Sequence, residues 1–285
     1  MAIRVYKPTS PGRRNASVNL HVEVTKSRPE RSLLKAKPKS GGRNHKGIIT
    51  VRGRGGGVKQ MYRVIDFKRR DRDGIEGTVV GIEYDPNRTC HIALVEYTDG
   101  QKRYHLAPVG LTDGAKVLSS TDAPIEPSPG NTMPLRHIPL GMNLHCVEIQ
   151  PGKGGQMCRS AGSYARLMNK EGRYATLSLP SGETRRVLLE CRATIGQVGN
   201  RDHQNRRIGK AGLNRLKGRR PKVRGVAMSH HAHPLGGGEG RSKGGRAPVN
   251  KAGTPAKGGG TRDRNKPSQD LIIRRRKSKR YGQLK

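Results

Sequence analysis

Alternating apolar and polar residues are concentrated in the middle of the chain. Thr78 to Tyr84 reads as a short strand closed by a turn at Asp85 to Arg88, and His91 to Tyr97 reads as a second. Asp99-Gly100 is a strong hairpin signal, and Lys102 to Leu106 returns from it as a third strand. Further on, Asn143 to Ile149, Tyr164 to Met168, Tyr174 to Leu179 and Arg186 to Cys191 repeat the pattern, with turns at Glu171-Gly172 and Pro180 to Glu183. Short strands at this spacing, with few helical patterns between them, predict an all-β fold of small barrels. Two fit in the space, joined near Pro124 to Pro129. Outside the middle this periodicity is lost. The one helical pattern of the C-terminal arm is short, Lys210 to Lys217, and stops at Gly218.

Charge follows the same partition. The 285 residues carry 58 Lys and Arg against 21 acids, a formal charge of +37. Residues 1–60 contribute +13, 61–125 contribute −1, 126–200 contribute +4 and 201–285 contribute +21. A basic N-terminal extension (1–60) and a basic, glycine-rich C-terminal extension (201–285) thus flank a first barrel (61–125) and a second (126–200). Such a charge calls for a bound polyanion, and phosphate contacts reward Lys and Arg whatever the base sequence. Anionic membrane is the competitor, but there is no long apolar run and no strongly amphipathic basic helix. The first residues lack the apolar stretch of a secretory signal.

With no Trp, one Phe, eight Tyr and 39 Gly, any core must be small and aliphatic. Residues 234–260 cannot offset their ordering entropy by burial, so alone they are expected to be disordered. Extended, the 85 residues from Arg201 could reach roughly 280 Å, at about 3.3 Å per residue, enough to thread a large RNA. The four cysteines, Cys90, Cys146, Cys158 and Cys191, form no Cys-x-x-Cys pair and read as reduced thiols rather than a zinc site.

Three motifs carry chemistry. Thr50 to Lys59 alternates arginine with glycine, letting backbone approach phosphate while forked guanidinium donors meet its oxygens. It is no nucleotide fingerprint, and no cofactor is expected. Pro151 to Gln156, followed by Arg159 to Gly162, forms a second basic glycine loop between strands of the second barrel. His230, His231 and His233 cluster before Pro234, but no Asp, Glu or Cys stands at ligand spacing, so base stacking or phosphate bonding is expected rather than metal. No catalytic triad can be assembled by spacing. Charge alone leaves a DNA-compacting protein open as the alternative to RNA binding, and a metal enzyme built on the histidines as a third class.

The ordered runs resemble a known family, that of the universal second protein of the large ribosomal subunit in its bacterial or organellar form. They are KPTSPGRR at 7–14, GGRN at 41–44, TVRGRGGGVKQMYRVIDFKR at 50–69, IEYDPNR at 82–88 and DGQKRYHLAP at 99–108. PGKGGQ at 151–156, RSAG at 159–162, LPSGE at 179–183, ATIGQVGN at 193–200 and GKAG at 209–212 continue the match. VRGVAM at 223–228, HPLGGGEGR at 233–241 and IRRRK at 273–277 complete it.

The resemblance implies an OB-like barrel followed by an SH3-like barrel, with both extensions embedded in large-subunit rRNA. It also implies a place near the peptidyl-transferase centre, an intersubunit bridge to the small subunit, tRNA nearby and neighbouring ribosomal proteins. Localisation would be the ribosome of the cytoplasm, or of an organelle's matrix. It implies no enzyme, no small-molecule substrate and no membrane partner. The residues expected to contact RNA are Arg13, Arg14, Arg43, Asn44, Arg52, Arg54, Lys59, Arg63, Lys68 and Arg69 from the first half. Lys153, Arg159, Lys210, Arg219, Arg224, His233, Arg241, Arg274, Arg275 and Arg276 complete the set. One departure matters. The family has an Asp before and a second His after the position of His233, where this chain has Ala232 and Leu235. That favours packing or RNA contact over acid–base work. Leu216, where the family usually has Trp, offers less stacking surface.

Overall fold

The computed structural model describes residues 2–240, 242, 245–256, 262–263 and 265–276. The chain divides into two compact units: residues 1–38, 59–210 and 267–285 form the first, and residues 39–58 and 211–266 the second.

The first unit is all-β. β1 (Ile3–Val5) pairs antiparallel with β2 (Ser17–Asn19), and β3 (Leu34–Ala36) with β4 (Met61–Arg63). β5 (Gly77–Glu83), β6 (Ile92–Tyr97), β7 (Lys102–Leu106) and β8 (Lys116–Val117) make a four-stranded antiparallel sheet in the order β7-β6-β5-β8. A bulge between Val79 and Gly81 bends β5, which helps the sheet curl. β6 is apolar on both faces because both are covered: Ala93, Val95 and Tyr97 pack with Val79 and Val117, while Ile92 and Leu94 pack with Ile65, Tyr104 and Val198.

The second sheet contains β9 (Thr132–Pro134), β10 (Asn143–His145), β11 (Ala165–Glu171), β12 (Tyr174–Ser178), β13 (Thr184–Leu188), β14 (Arg192–Ile195) and β15 (Ile272–Arg274). Its order is β15-β13-β12-β11-β10-β14-β9, so the C-terminal segment returns to extend one edge. Met133, Leu135, Leu144, Leu167, Leu177, Val187 and Ile195 form its core. Two curled sheets in this order are the OB-like and SH3-like pair expected.

Eight strands are absent from the sequence reading. β1, β2, β3, β4, β8, β9, β14 and β15 are two to four residues long, too short to show a period. Residues 1–38, read as part of an extension, pack into this unit through polar groups instead of a hydrophobic stripe. Asn19 Nδ2 donates to Asn200 Oδ1 (2.6 Å), and Glu23 Oε2 accepts from the Asn200 N–H (3.0 Å) and lies 3.0 Å from His91 Nδ1.

In the second unit the expected helix forms over Ala211–Leu216. Residues 53–58 pair with the segment after it: Val58 donates to Leu216 O, Gly55 to Gly218 O, and Arg220 to Gly53 O, each at 3.0 Å. Among the described residues of this unit only His233 is buried. Residues 39–58 carry five cations and no acid, and residues 211–266 carry 14 cations and two acids. This unit is held by backbone pairing and turns, with no hydrophobic core among its described residues.

Candidate nucleic-acid interface

In the first unit the basic glycine loop is built around a carboxylate. Glu148, only 2 % exposed, accepts from the backbone N–H of Gly154 (2.8 Å), Gly152 (3.2 Å) and Arg192 (3.0 Å). Gly155 donates to Phe67 O at 2.9 Å, docking the loop on residues 67–70. The stem of Lys68 lies beside Gly154, and the Arg70 guanidinium beside Gly152. Lys68 and Arg70 thereby share one exposed surface with Lys153, distant from them in sequence. Arg159 is also exposed, and its guanidinium lies over the Phe67 ring, 4.7 Å from the centroid. Sequence reasoning missed Arg70, whose signal was its place in the run of cations at 68–70.

Arg13 and Arg14 are exposed in the N-terminal segment, Arg13 over the Tyr6 ring at 5.5 Å, and the Lys210 stem passes beside Gly12. Arg274, Arg275 and Arg276 are exposed at the end of β15, where Arg274 pairs with Thr184, so the exposed Arg186 of β13 joins them. That arginine was not anticipated, although the basic pair at 185–186 stood in a strand pattern. Lys59 is exposed.

Two arginines of this unit differ from the sequence expectation. Arg69 is 5 % exposed, and its Nη1 donates to Gly130 O and Thr132 Oγ1, both at 2.9 Å. It joins the segment before the first sheet to β9 of the second, and its burial lowers its pKa. Arg63 is half-buried, donating to Met61 O at 3.2 Å with Asp85 at 4.0 Å. Both guanidinium groups are engaged inside the protein.

The second unit gathers Arg52, Arg54 and Arg219 around a cleft of about 530 Å³. Arg54 and Arg219 meet as a backbone bridge. The fold adds Arg215, Arg220 and Lys222, which sequence reasoning passed over although residues 215–224 hold six Lys and Arg. The lining contains no carboxylate, so nothing in the cleft competes with an anionic ligand. Arg43 and Arg224 are exposed, whereas Asn44 Oδ1 accepts from the N–H of Lys46 and Ile48 (both 3.0 Å) and shapes its own turn. His233 is 8 % exposed and accepts at Nδ1 from Leu235 N–H (3.0 Å), with its ring against Gly225. The structure thus gives it a packing role, one of the two alternatives the sequence left open. Arg241 lies outside the described residues.

The four cysteines are free thiols, with burial raising their pKa values to about 11 or 12. Among the described residues no group of three or more His, Cys, Asp or Glu is placed to hold a metal, and no helix is long and apolar enough to cross a membrane.

A family model described as the ribosomal proteins L2, RNA binding N-terminal domain, matches residues 30–119. The model of the C-terminal domain of the same proteins matches residues 128–253. The chain belongs to the ribosomal L2 family. A relative from Rhodopirellula baltica, the large ribosomal subunit protein uL2, is 59 % identical over 286 residues, covering 100 % of this chain and 99 % of the relative. The L2 N-terminal match includes Arg43, Arg52, Arg54 and Lys68, while Lys153, Arg159 and Arg219 fall in the C-terminal match.

Proposed function

We propose that the chain is a structural constituent of the large ribosomal subunit that binds its rRNA and lies against neighbouring ribosomal proteins. The observation that carries this reading is the gathering of exposed Lys and Arg around a cleft free of carboxylate, in a chain whose L2 match includes an RNA-binding domain. The name and full-length identity of the Rhodopirellula relative support the ribosomal assignment. Cations on loops and edges suit phosphate contact that positions the protein without reading sequence.

In this reading Arg13, Arg14, Arg43, Arg52, Arg54, Lys59, Lys68, Lys153, Arg159, Lys210, Arg219, Arg224, Arg241, Arg274, Arg275 and Arg276 touch RNA, joined by Arg70, Arg186, Arg215, Arg220 and Lys222. Asn44, Arg63, Arg69 and His233 shape the surfaces instead. The four-part division at residues 60, 125 and 200 is retained as a division of labour: two extensions that grip RNA and two barrels that set their spacing. The finer roles proposed are subunit association through an intersubunit bridge, support of tRNA binding and organisation of the peptidyl-transferase centre, in the cytoplasmic or organellar ribosome. The chain acts without catalysis of its own.

Crosslinking in growing cells tests the proposal. Large-subunit rRNA should dominate the recovered nucleic acid, and predominant recovery of DNA would overturn it.

A further inference from the structure

An open groove of about 920 Å³ runs between loops of the two barrels in the first unit. Phe67, Met157 and Leu179 supply apolar walls, Tyr62 stands at 37 % exposure, and Gln156 and Arg159 bring polar groups. The lining includes two arginines and no carboxylate. Arg88 is held by Asp85, its Nε donating at 2.5 Å. Arg159 is different: it is exposed, places its guanidinium carbon 4.7 Å from the Phe67 ring centre, and donates to Gly155 O at 3.2 Å. The Gln156 carboxamide makes no hydrogen bond to the described residues, although its backbone N–H donates to Val147 O.

We infer that this groove takes a single unstacked base of the bound RNA, stacked on the Arg159–Phe67 pair and read along one edge by Gln156. The inference rests on the rRNA-binding reading and names the ligand at one of its surfaces. Three features set the groove apart from a phosphate-binding patch. Phosphate contact needs cations alone, yet here the walls are apolar and aromatic. Stacked guanidinium and ring faces suit the π-face of a base, which any splayed nucleotide presents. A free carboxamide offers a donor and an acceptor side by side, matching a base edge. The volume falls in the usual range for a small-molecule site, about 300–1,000 Å³. Two arginines without a carboxylate would also suit an acidic protein segment, but the aromatic wall and the free carboxamide favour RNA, whose backbone must pass the rim.

The test uses the full chain and large-subunit rRNA. A photoreactive residue in place of the exposed Ser160, whose side chain lines the groove, should crosslink to one nucleotide. An rRNA fragment made abasic at that nucleotide should bind the wild-type chain about 5- to 150-fold more weakly, the range for loss of one stacked base. Ser160→Trp fills the groove while leaving every cation in place. It should weaken binding to the intact fragment to a similar extent, and the abasic change should then cost less than twofold more. Crosslinks to a protein, or an abasic effect below twofold in the wild type while rRNA still binds, would overturn the inference and leave the proposed function standing. Failure of the wild-type chain to bind large-subunit rRNA would overturn the proposed function and the inference with it.

Discussion

Glu148→Gln is the sharpest probe of how the first unit holds its basic loop. The buried carboxylate accepts three backbone N–H bonds, one at Oε1 from Gly154 and two at Oε2 from Gly152 and Arg192. A glutamine keeps the shape but offers one oxygen. Two donors can still be met, by neutral bonds in place of charge-assisted ones, and the third faces an N–H. Leaving that donor unmet costs about 1–3 kcal/mol, and each weakened bond about 1 kcal/mol more. Relief of the carboxylate's desolvation offsets part of this, giving a net loss of about 2–4 kcal/mol. That is a large share of a typical domain's stability, about 5–15 kcal/mol. Urea unfolding followed by tyrosine fluorescence measures the loss, and hydrogen exchange over residues 149–158 locates it. A change below about 0.5 kcal/mol, with exchange in that peptide unaltered, would show that the loop is held by its docking on Phe67 and not by Glu148.

Other consequences follow from burial and charge. Burial holds His145 down to about 4 and His105 well below its usual value, while both titrate near 6.5 when unfolded. The unfolded chain therefore binds more protons below pH 6.5, so stability is full above that pH and is lost as pH falls toward 4. His145 alone contributes roughly 3 kcal/mol, at 1.36 kcal/mol per unit; calorimetry from pH 7 to 4.5 should show the fall, and His145→Asn should flatten it. Limited proteolysis of the RNA-free chain should cut first within residues 39–58 and 211–266, leaving the β-sheets intact; equal cutting in both units would refute the contrast in packing. A Cβ on Gly236 would press on the Met228 and Ser229 carbonyl oxygens, so Gly236→Ala should sharply reduce occupancy in purified large subunits. His233→Gln keeps an acceptor for Leu235 N–H and should leave occupancy and single-turnover peptidyl transfer within a few-fold; a near-complete loss of transfer in fully occupied subunits would refute its packing role.

The sheets were legible where local pattern and tertiary role agree. Lys102 to Leu106 forms as read, and the hairpin at Asp99-Gly100 forms because Gly100 takes the positive φ that such a turn needs. The interface was legible in kind but not residue by residue. Arg69 and Lys68 are neighbours in one cationic run, yet one is buried and one exposed. Their difference comes from a 3₁₀ turn at Arg70–Arg72 and from acceptors on Gly130 and Thr132, about 60 positions away. Composition reads arginine as surface, and only the long-range acceptors reverse that reading. The groove beside Phe67 was equally hidden, since its walls come from four separate loops.

The second unit poses the same problem in a stronger form. Its glycines and arginines announced an anion partner, but no hydrophobic period could announce a shape, because its described residues make no core. Its order rests on backbone pairs such as Gly55 with Gly218, and on glycines whose missing Cβ lets segments touch: at Gly57, φ +86°, a Cβ would stand 2.8 Å from Leu216 O. Backbone pairing without burial is weak in water, and many cations repel one another at close range. Phosphate in the cleft between Arg52, Arg54 and Arg219, as proposed above, would remove both defects, since counter-charge cancels the repulsion and shields the paired backbone from water. On that proposal the charge that repels within this unit is what would couple its folding to RNA, and its structure is half of an interface.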